Sequence, residues 1–182
     1  AEAGGTEMIQ DHINKVDLSK KPFTAVGDSG QIYTADAIII STGAQARWLN
    51  LKTEQDFRGF GVSACATCDG FFFKDREVAV VGGGNAAVEE AIFLTKFASK
   101  VHIIHRRDTF RASKIMQERA LNNENIQVHW NSEIEDIKGD QKVQQIVLKD
   151  TKTSEKKILD MGGVFVAIGH EPNTELFKNQ LE

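Results

Sequence analysis

The stretch ACATCDG holds the only two cysteines of the 182-residue chain, Cys65 and Cys68, with two residues between them. Thiols at this spacing interconvert readily between a dithiol and a disulfide, which is the chemistry of a redox pair. A zinc site would need a second cysteine pair or histidines at matching spacing, and the sequence supplies neither. A structural disulfide across so small a loop would add little stability. The pattern favours a redox pair and predicts no metal site.

Asp69 follows the second cysteine directly and could exchange a proton with the Cys68 thiolate. Asp-Gly is also a common turn pair, and an aspartate at this point can cap a turn or a helix. The residues alone leave both interpretations open. The three phenylalanines that follow, at 71–73, are expected in the core rather than on a surface that receives a substrate.

A second motif, GGGNAA at 82–87, has the pattern Gly82-x-Gly84-x-x-Ala87. The first glycine permits a tight turn, and the second lets backbone amides approach a pyrophosphate. The small third residue lets the helix pack closely on the strand. Because a strand-like run precedes the motif and a helical pattern follows it, a dinucleotide site is favoured over a purely structural turn.

Basic residues occupy the end of the next strand, in the stretch HRRDTFR: His105, Arg106, Arg107 and Arg111. Sites for NAD place a carboxylate about 20 residues after the glycines. Arginines suit a 2′-phosphate instead, because the planar guanidinium is always charged and can bind in a bidentate way. Asp108 does not fit this pattern but lies past the strand end. An ordinary solvated basic cluster is the alternative, and the glycines upstream favour NADP.

These residues need a scaffold, and the surrounding sequence predicts one of the α/β class. A buried strand (77–84), a helix (85–98) and a second strand (100–107) indicate a right-handed βαβ unit with parallel strands. Glu89 and Glu90 are expected on a solvated face of that helix. The remaining elements predicted downstream are a helix at 113–121, a strand at 126–130, an antiparallel β-meander at 133–160 and a buried strand leading to Gly169.

The beginning of the chain shows a weak internal repeat. Strand-like runs lead into AIIISTG (37–43), which resembles GVFVAIG (163–169) in placing a six-residue run before a glycine. A Gly-rich head matching that of the second copy would fall before Ala1. We therefore expect one complete dinucleotide-binding unit and the back half of another, joined near residues 47–61.

Composition narrows the range of partners. The chain has 22 basic and 26 acidic residues and a net charge of −4, so neither nucleic acid nor an anionic membrane is expected as a partner. The sequence has no apolar run of membrane-spanning length and no signal-peptide pattern at AEAGGTEMIQ. Two cysteines are too few for a secreted disulfide scaffold, so a cytoplasmic location is expected.

Taken together, CATCDG, GGGNAAVEEA, HRRDTFRA and VAIGHEPNT resemble the low-molecular-weight, bacterial-type thioredoxin reductases, along essentially the whole chain. The resemblance implies a Rossmann-like FAD/NAD(P)-binding fold with a central parallel sheet. Residues 1–48 would be the back half of an FAD-binding domain, 49–173 an NADPH-binding domain carrying the cysteines, and 174–182 a return segment toward the FAD domain. The family's two main FAD motifs are absent from this sequence, so we expect FAD only in a longer protein and no turnover of NADPH with thioredoxin by the chain alone.

The resemblance also implies a route for electrons, from NADPH through FAD to the Cys65–Cys68 disulfide and on to thioredoxin. Cys68 would lie nearer the flavin, Cys65 would be the exposed attacking sulfur, and Asp69 would donate or accept the proton. Members of the family are homodimers. Two alternatives remain: a flavoprotein that reduces peroxiredoxins, which Ala66-Thr67 between the cysteines disfavours, and a non-catalytic NADP-binding module.

Cofactor contacts follow from the same resemblance. The residues implied for NADPH are Gly82, Gly84, Asn85, Ala86, Ala87, His105, Arg106, Arg107, Arg111, Ile168 and Gly169. Those implied for the FAD side are Thr42, Gly43 and Ala44.

Overall fold

The computed structural model describes residues 2–181. The helices are α1 (Lys52–Asp56), α2 (Ala66–Asp69), α3 (Asn85–Leu94) and α4 (Lys114–Leu121), with short 3-10 helices at Glu2–Gly4, Gly70–Phe73 and Glu175–Phe177. The first strands are β1 (Ile13–Asp17), β2 (Phe23–Gly27), β3 (Ile32–Ala35), β4 (Ala44–Ala46) and β5 (Val62–Ser63). The later strands are β6 (Glu77–Val81), β7 (Lys100–Ile104), β8 (Ile126–His129), β9 (Ser132–Gly139), β10 (Val143–Asp150), β11 (Lys156–Asp160), β12 (Gly163–Val166) and β13 (His170–Pro172).

The chain divides into two compact units. The second unit is the continuous stretch 46–170, and the first combines residues up to Gln45 with those from Glu171 onward. The boundaries predicted from the sequence, after residues 48 and 173, lie slightly further along the chain than these. In the part of the chain that the structure describes, no helix is long and apolar enough to cross a membrane.

A five-stranded parallel sheet forms the centre of the second unit, in the order β5-β12-β6-β7-β8. Phe165, Val80 and Ile103 are register partners across three adjacent strands, and all three are fully buried. Strands covered on both faces read as continuous apolar runs, as EVAVV does. The predicted α/β, Rossmann-like class is confirmed.

Helix α3 covers one face of this sheet. It begins after Gly84, whose extended backbone (φ −89°, ψ −179°) serves as the N-cap. It ends at Leu94, after which the Thr95 hydroxyl donates to the Ile92 carbonyl and competes with the helical pattern. Its buried side chains are Ala87, Val88, Ala91 and Leu94. Burying Leu94 completely contributes about 1.5–3 kcal/mol, so this face fixes the helix firmly on the sheet.

The antiparallel meander predicted at 133–160 is confirmed as the sheet β11-β10-β9. It packs on the other face of the parallel sheet through a second buried cluster that includes Ile104, Ile137, Ile146 and Leu148. The parallel sheet is therefore enclosed between helices and meander, and the carboxyl ends of its strands are where this fold binds ligands.

The first unit contains an antiparallel sheet, β1-β2-β3, as its strand-like sequence predicts. The run AIIISTG, expected to correspond to the buried strand β12, is not a strand, and Ile39 is 92% exposed. A buried parallel strand needs neighbours on both sides. The described part of the first unit has no parallel sheet for these residues to join, so the run forms no regular element and is exposed.

Candidate functional site

Cys65 and Cys68 are joined by a disulfide, with their Cα atoms 5.3 Å apart. Cys65 lies between β5 and α2, and its backbone amide donates a hydrogen bond to Ser63 Oγ at 3.0 Å. Cys65 is the N-cap of α2, and its Sγ accepts the Cys68 backbone N–H at 3.2 Å. Cys65 Sγ also lies 3.5 Å from Thr67 Oγ1. These polar groups around Cys65 favour a negative charge on its sulfur when the pair is reduced.

Exposure of the two cysteine residues differs from the expectation. Cys68 is exposed and Cys65 is half-buried, so the prediction that Cys65 is the exposed member of the pair is wrong for this chain. The cause lies in Ala66, which is 1% exposed and belongs to the core under α3. Burial of the first helical residue draws the preceding cysteine inward and leaves the second on the outside.

Asp69 is the last residue of α2 and is half-buried. Its backbone amide donates to the Cys65 carbonyl at 3.1 Å. Its side chain makes no capping hydrogen bond to the 3-10 helix that follows. The capping interpretation therefore has no support from a side-chain contact, while the proton-transfer role stays a prediction.

The three phenylalanines after the redox pair are not all in the core. Phe73 is buried against Phe165, with ring centroids 5.1 Å apart, whereas Phe71 and Phe72 are 67% and 72% exposed. The expectation of a wholly buried FFF run is wrong because the segment is a 3-10 helix, which has three residues per turn and turns only one in three inward. Two aromatic rings therefore lie on the surface close in sequence to Cys68.

The glycine motif forms the turn between β6 and α3, and its two glycines have different roles. Gly82 has φ +150°, and a Cβ there would lie 2.4 Å from the Ala167 carbonyl oxygen and 2.6 Å from the Ala87 Cβ. The fold itself requires this glycine and the small Ala87. Gly84 has an ordinary φ of −89°, and no atom lies within 4 Å of a Cβ built on it. The fold can therefore accommodate a side chain at position 84. A pyrophosphate bound at the helix N-terminus, by contrast, requires glycine there.

A cavity of about 600 Å³ opens at this point, at the carboxyl ends of β6, β7 and β12. This is where open α/β sheets bind nucleotides. Of the residues predicted for NADPH, the cavity is lined by Gly82, Gly84, His105, Arg106, Arg111 and Ile168.

The arginines present an exposed positive group at the cavity rim. Arg106, Arg107 and Arg111 are all exposed, and none of them takes part in an ion pair with a described carboxylate. Asp108, the acidic residue among them, pairs instead with Lys152 at 3.6 Å. The three guanidinium groups are thus available to a phosphate, although Arg107 is not among the residues that line the cavity.

The His105 side chain packs against the glycine turn and is mostly hidden from a ligand in the cavity. It is 6% exposed, and its ring lies where a Cβ on Gly83 would be, within 2.2 Å. Its Nε2 is 2.9 Å from the Thr109 carbonyl. Burial, and then the neighbouring arginines, lower the pKa of His105, so the ring is neutral near pH 7.

Other residues predicted for cofactors are engaged in the fold. Asn85 Oδ1 accepts the Ser113 backbone N–H at 2.8 Å, and the Gly169 carbonyl accepts the Arg47 backbone N–H. Ala86 is exposed in the first turn of α3. In the first unit, the Thr42 hydroxyl donates to the Asn173 carbonyl at 2.7 Å, and the Gly43 carbonyl accepts the Asn173 backbone amide. Ala44 begins β4 and is exposed.

Sequence reasoning missed the segment 47–51, which lines the same cavity with Arg47, Trp48, Leu49 and Leu51. Glu54 holds this segment in place. It is fully buried and accepts backbone N–H groups from Leu49 at 2.8 Å and Asn50 at 3.0 Å. Arg58 lies 3.6 Å from the same carboxylate, with its guanidinium 3.8 Å from the Trp48 ring centroid. The sequence analysis did not find Glu54 because a buried glutamate in a polar stretch has no periodic sequence pattern.

Sequence and structure comparisons agree on the family. The model of the pyridine nucleotide-disulphide oxidoreductase family matches residues 2–182. A thioredoxin reductase of Rickettsia felis is 54% identical over 180 residues, covering 97% of this chain and 58% of its own length. One of Vibrio cholerae is 53% identical over 186 residues, covering 100% and 58%. The chain belongs to the pyridine nucleotide-disulphide oxidoreductase family, a membership that implies FAD and NADPH as cofactors.

Solved thioredoxin reductases share the fold. The enzyme of Lactococcus lactis superimposes with a TM-score of 0.85 at 38% identity, covering 98% of this chain and 59% of the other. That of Giardia duodenalis gives 0.87 at 42% identity, covering 100% and 60%. The chain spans less than three fifths of the length of the curated relatives quoted above.

Proposed function

We propose that this chain acts within a thioredoxin-disulfide reductase, in which two electrons pass from NADPH by way of FAD to the Cys65–Cys68 disulfide and on to thioredoxin. The observation that carries the proposal is the disulfide itself. It lies at the surface, beside the helix that begins at the glycine turn, in the same compact unit as the nucleotide cavity. A family of nucleotide-disulfide oxidoreductases and relatives named thioredoxin reductase support the same conclusion.

The residues proposed to hold NADPH fit a phosphorylated dinucleotide. The open space above Gly84 admits the pyrophosphate, and the α3 N-terminus favours its charge. Arg106, Arg107 and Arg111 would bind the 2′-phosphate, because they are exposed and not engaged by described carboxylates. NADPH, when bound, supplies the electrons as a hydride.

The described residues do not form a comparable cradle for FAD. Thr42, Gly43 and Ala44 are the residues proposed for that side, but the Thr42 hydroxyl and the Gly43 carbonyl already bind Asn173. We therefore derive no step through the flavin. The chemistry that belongs to this chain begins with the reduced cysteine pair.

In the reduced pair, we propose that Cys65 is the attacking sulfur and Cys68 the resolving one. The hydrogen bond from the Cys68 amide favours the Cys65 thiolate, which attacks one sulfur of the thioredoxin disulfide. A mixed disulfide forms and the other thioredoxin sulfur leaves as a thiolate. Cys68 then loses its proton and its sulfur attacks the Cys65 sulfur, which breaks the mixed disulfide, releases the second thioredoxin sulfur as a thiolate and restores the internal disulfide. Thioredoxin gains two electrons and, with two protons, becomes the dithiol; Asp69 is placed to transfer one of these protons.

Exposed rings near the disulfide suit a protein substrate. Phe71 and Phe72 are mostly exposed in the helical segment that directly follows α2, and their rings meet edge to face at 6.4 Å. Aromatic rings of this kind act as anchors in protein interfaces. A small disulfide would need no such surface, so the two phenylalanines favour a protein partner.

The test uses the chain after chemical reduction of the pair, so that no flavin is needed. The wild-type dithiol should reduce oxidised thioredoxin. Cys68→Ser should trap thioredoxin as a stable mixed disulfide because the resolving sulfur is gone, and Cys65→Ser should trap none. Trapping by Cys65→Ser alone would reverse the assigned roles, and no electron transfer from the wild-type dithiol would refute the function.

Two further parts of the proposal rest on the family resemblance and on cysteine usage. The whole enzyme is proposed to be a homodimer, and its location to be the cytoplasm, where thiols are kept reduced. Sedimentation of the flavin-containing enzyme and fractionation of cells test these two statements.

A further inference from the structure

The loop that carries Arg111, residues 109–113, is hydrogen-bonded to the glycine turn. The Gly83 carbonyl accepts the backbone N–H groups of Arg111 and of the residue after it, at 2.7 Å and 3.2 Å. The Ser113 backbone N–H donates to Asn85 Oδ1 at 2.8 Å. Both acceptors belong to the turn at which the pyrophosphate is proposed to bind. The pyrophosphate turn and the Arg111 loop are therefore connected directly, by three hydrogen bonds.

Helix α4 also holds the Arg111 loop. Gln117 Nε2 donates to the Ala112 carbonyl at 2.7 Å and to the Phe110 carbonyl at 3.5 Å. Phe110 and Ala112 are both buried, and the Phe110 ring centroid lies 4.5 Å from that of Trp130. Arg111, between these two residues, is exposed and lines the nucleotide cavity. The backbone of the loop is thus fixed, while the guanidinium is presented to the cavity.

The other two arginines of the proposed phosphate site are attached to different parts of the fold. The Arg107 carbonyl accepts the Asn131 backbone N–H at 3.1 Å, and the Arg106 carbonyl lies 3.4 Å from Thr151 Oγ1. These partners lie just before β9 and just after β10. The hydrogen bonds to the glycine turn and to α4 therefore act on Arg111.

Asn85 and Gln117 are not among the residues that line the cavity, whereas Arg111 is. A guanidinium binds a phosphate best when its loop is already ordered, because ordering the loop on binding subtracts from the affinity. Resting on the proposed NADPH site, we propose that Asn85 and Gln117 are positioning residues, which set the preference of that site for a 2′-phosphate by holding Arg111 in place. They act through the loop and not by contact with the nucleotide.

The experiment measures the dissociation constants of the chain for NADPH and NADH by titration calorimetry. Asn85→Ala and Gln117→Met each remove one hydrogen bond to the loop. Each should lower the preference for NADPH over NADH about threefold to tenfold and leave NADH affinity unchanged. Asn85→Asp keeps an acceptor for the Ser113 amide, so it should retain the wild-type preference even though its charge weakens the binding of both nucleotides. Glu118→Ala, the matched control, truncates the exposed neighbour of Gln117 and should change neither affinity.

A double-mutant cycle tests whether the effect passes through Arg111. Once Arg111→Ala has removed the guanidinium, adding Asn85→Ala should cause no further loss of NADPH preference. With Arg107→Ala, by contrast, the losses caused by the two substitutions should multiply. Losses that multiply in the cycle with Arg111 would overturn the proposal.

Two other results would also overturn the positioning role. One is an unchanged NADPH preference in both Asn85→Ala and Gln117→Met. The other is an equal loss of affinity for NADPH and NADH in Asn85→Ala, which would show a contact with the shared part of the nucleotide. A wild-type chain that binds NADPH no better than NADH would instead refute the 2′-phosphate assignment itself, and this inference with it, while the thioredoxin-trapping experiment decides the electron transfer separately.

Discussion

Replacing Gly84 with alanine should separate nucleotide binding from folding. The backbone at Gly84 is extended, and an added Cβ meets nothing within 4 Å. Alanine is a poorer N-cap than glycine by roughly 0.5–1 kcal/mol, and loss of glycine's unfolded-state freedom offsets about 0.4–1 kcal/mol of that. The free energy of unfolding should therefore change by less than about 1 kcal/mol. The methyl group would stand where the pyrophosphate approaches the helix, and losing one charge-assisted hydrogen bond costs about 1.5–3 kcal/mol, or roughly tenfold to a hundredfold in NADPH affinity.

Gly82→Ala provides the contrasting variant. Its φ of +150° and its approach to the Ala167 oxygen would cost about 2–5 kcal/mol from backbone strain and overpacking together. Urea unfolding and NADPH titration should therefore show Gly84→Ala as stable and weakly binding, and Gly82→Ala as unstable. Wild-type NADPH affinity in Gly84→Ala, or a loss of stability in it as large as that of Gly82→Ala, would refute the reasoning.

Three other predictions concern the phosphate site, acid stability and the partner surface. Arg106→Ala and Arg107→Ala should each weaken NADPH binding about tenfold to a hundredfold and leave NADH binding unchanged; equal loss for both nucleotides in a titration would remove the 2′-phosphate assignment. Burial lowers the pKa of His129 from 6.5 to about 4. Between about pH 4 and pH 6.5 the unfolded chain therefore binds more protons than the folded chain. The free energy of unfolding should have its full value above about pH 6.5 and should fall by about 1–3 kcal/mol toward pH 4. His129→Gln should reduce this slope in pH-dependent urea melts. Phe71→Ala and Phe72→Ala should each slow reduction of thioredoxin by the chemically reduced chain several-fold without changing reduction of a small aromatic disulfide; equal slowing with both substrates would contradict a protein-docking surface.

The centre of the parallel sheet and the glycine loop were predictable because β6, β7 and β12 are almost entirely buried. EVAVV, KVHII and GVFV are apolar runs that end in glycine or basic residues, and such runs have few alternatives to a parallel strand. Cys65 and Cys68 were recognisable as a redox pair from their residue type and spacing. Apolar runs and the spacing of the cysteines are local patterns, and they predicted these local structures correctly.

The features that the sequence predicted wrongly depend on packing between elements that are adjacent in space. The sequence of α3 gives no sign that Glu90 is half-buried while Glu89 is exposed, because both glutamates suit a solvated face of the helix. The depth of Cys65 depends on the burial of Ala66 under α3, which no two-residue pattern encodes. Phe71 and Phe72 were misplaced because composition cannot show that a 3-10 helix turns only Phe73 inward.

The order of the two units along the chain has a consequence for synthesis. The first unit includes both ends: the Leu18 amide donates to Gln180 Oε1, and Gln180 Nε2 donates to the Val16 carbonyl. The second unit is continuous from 46 to 170. A ribosome therefore makes all of residues 46–170 before it reaches residue 180, so the second unit can fold before the first unit forms these two contacts.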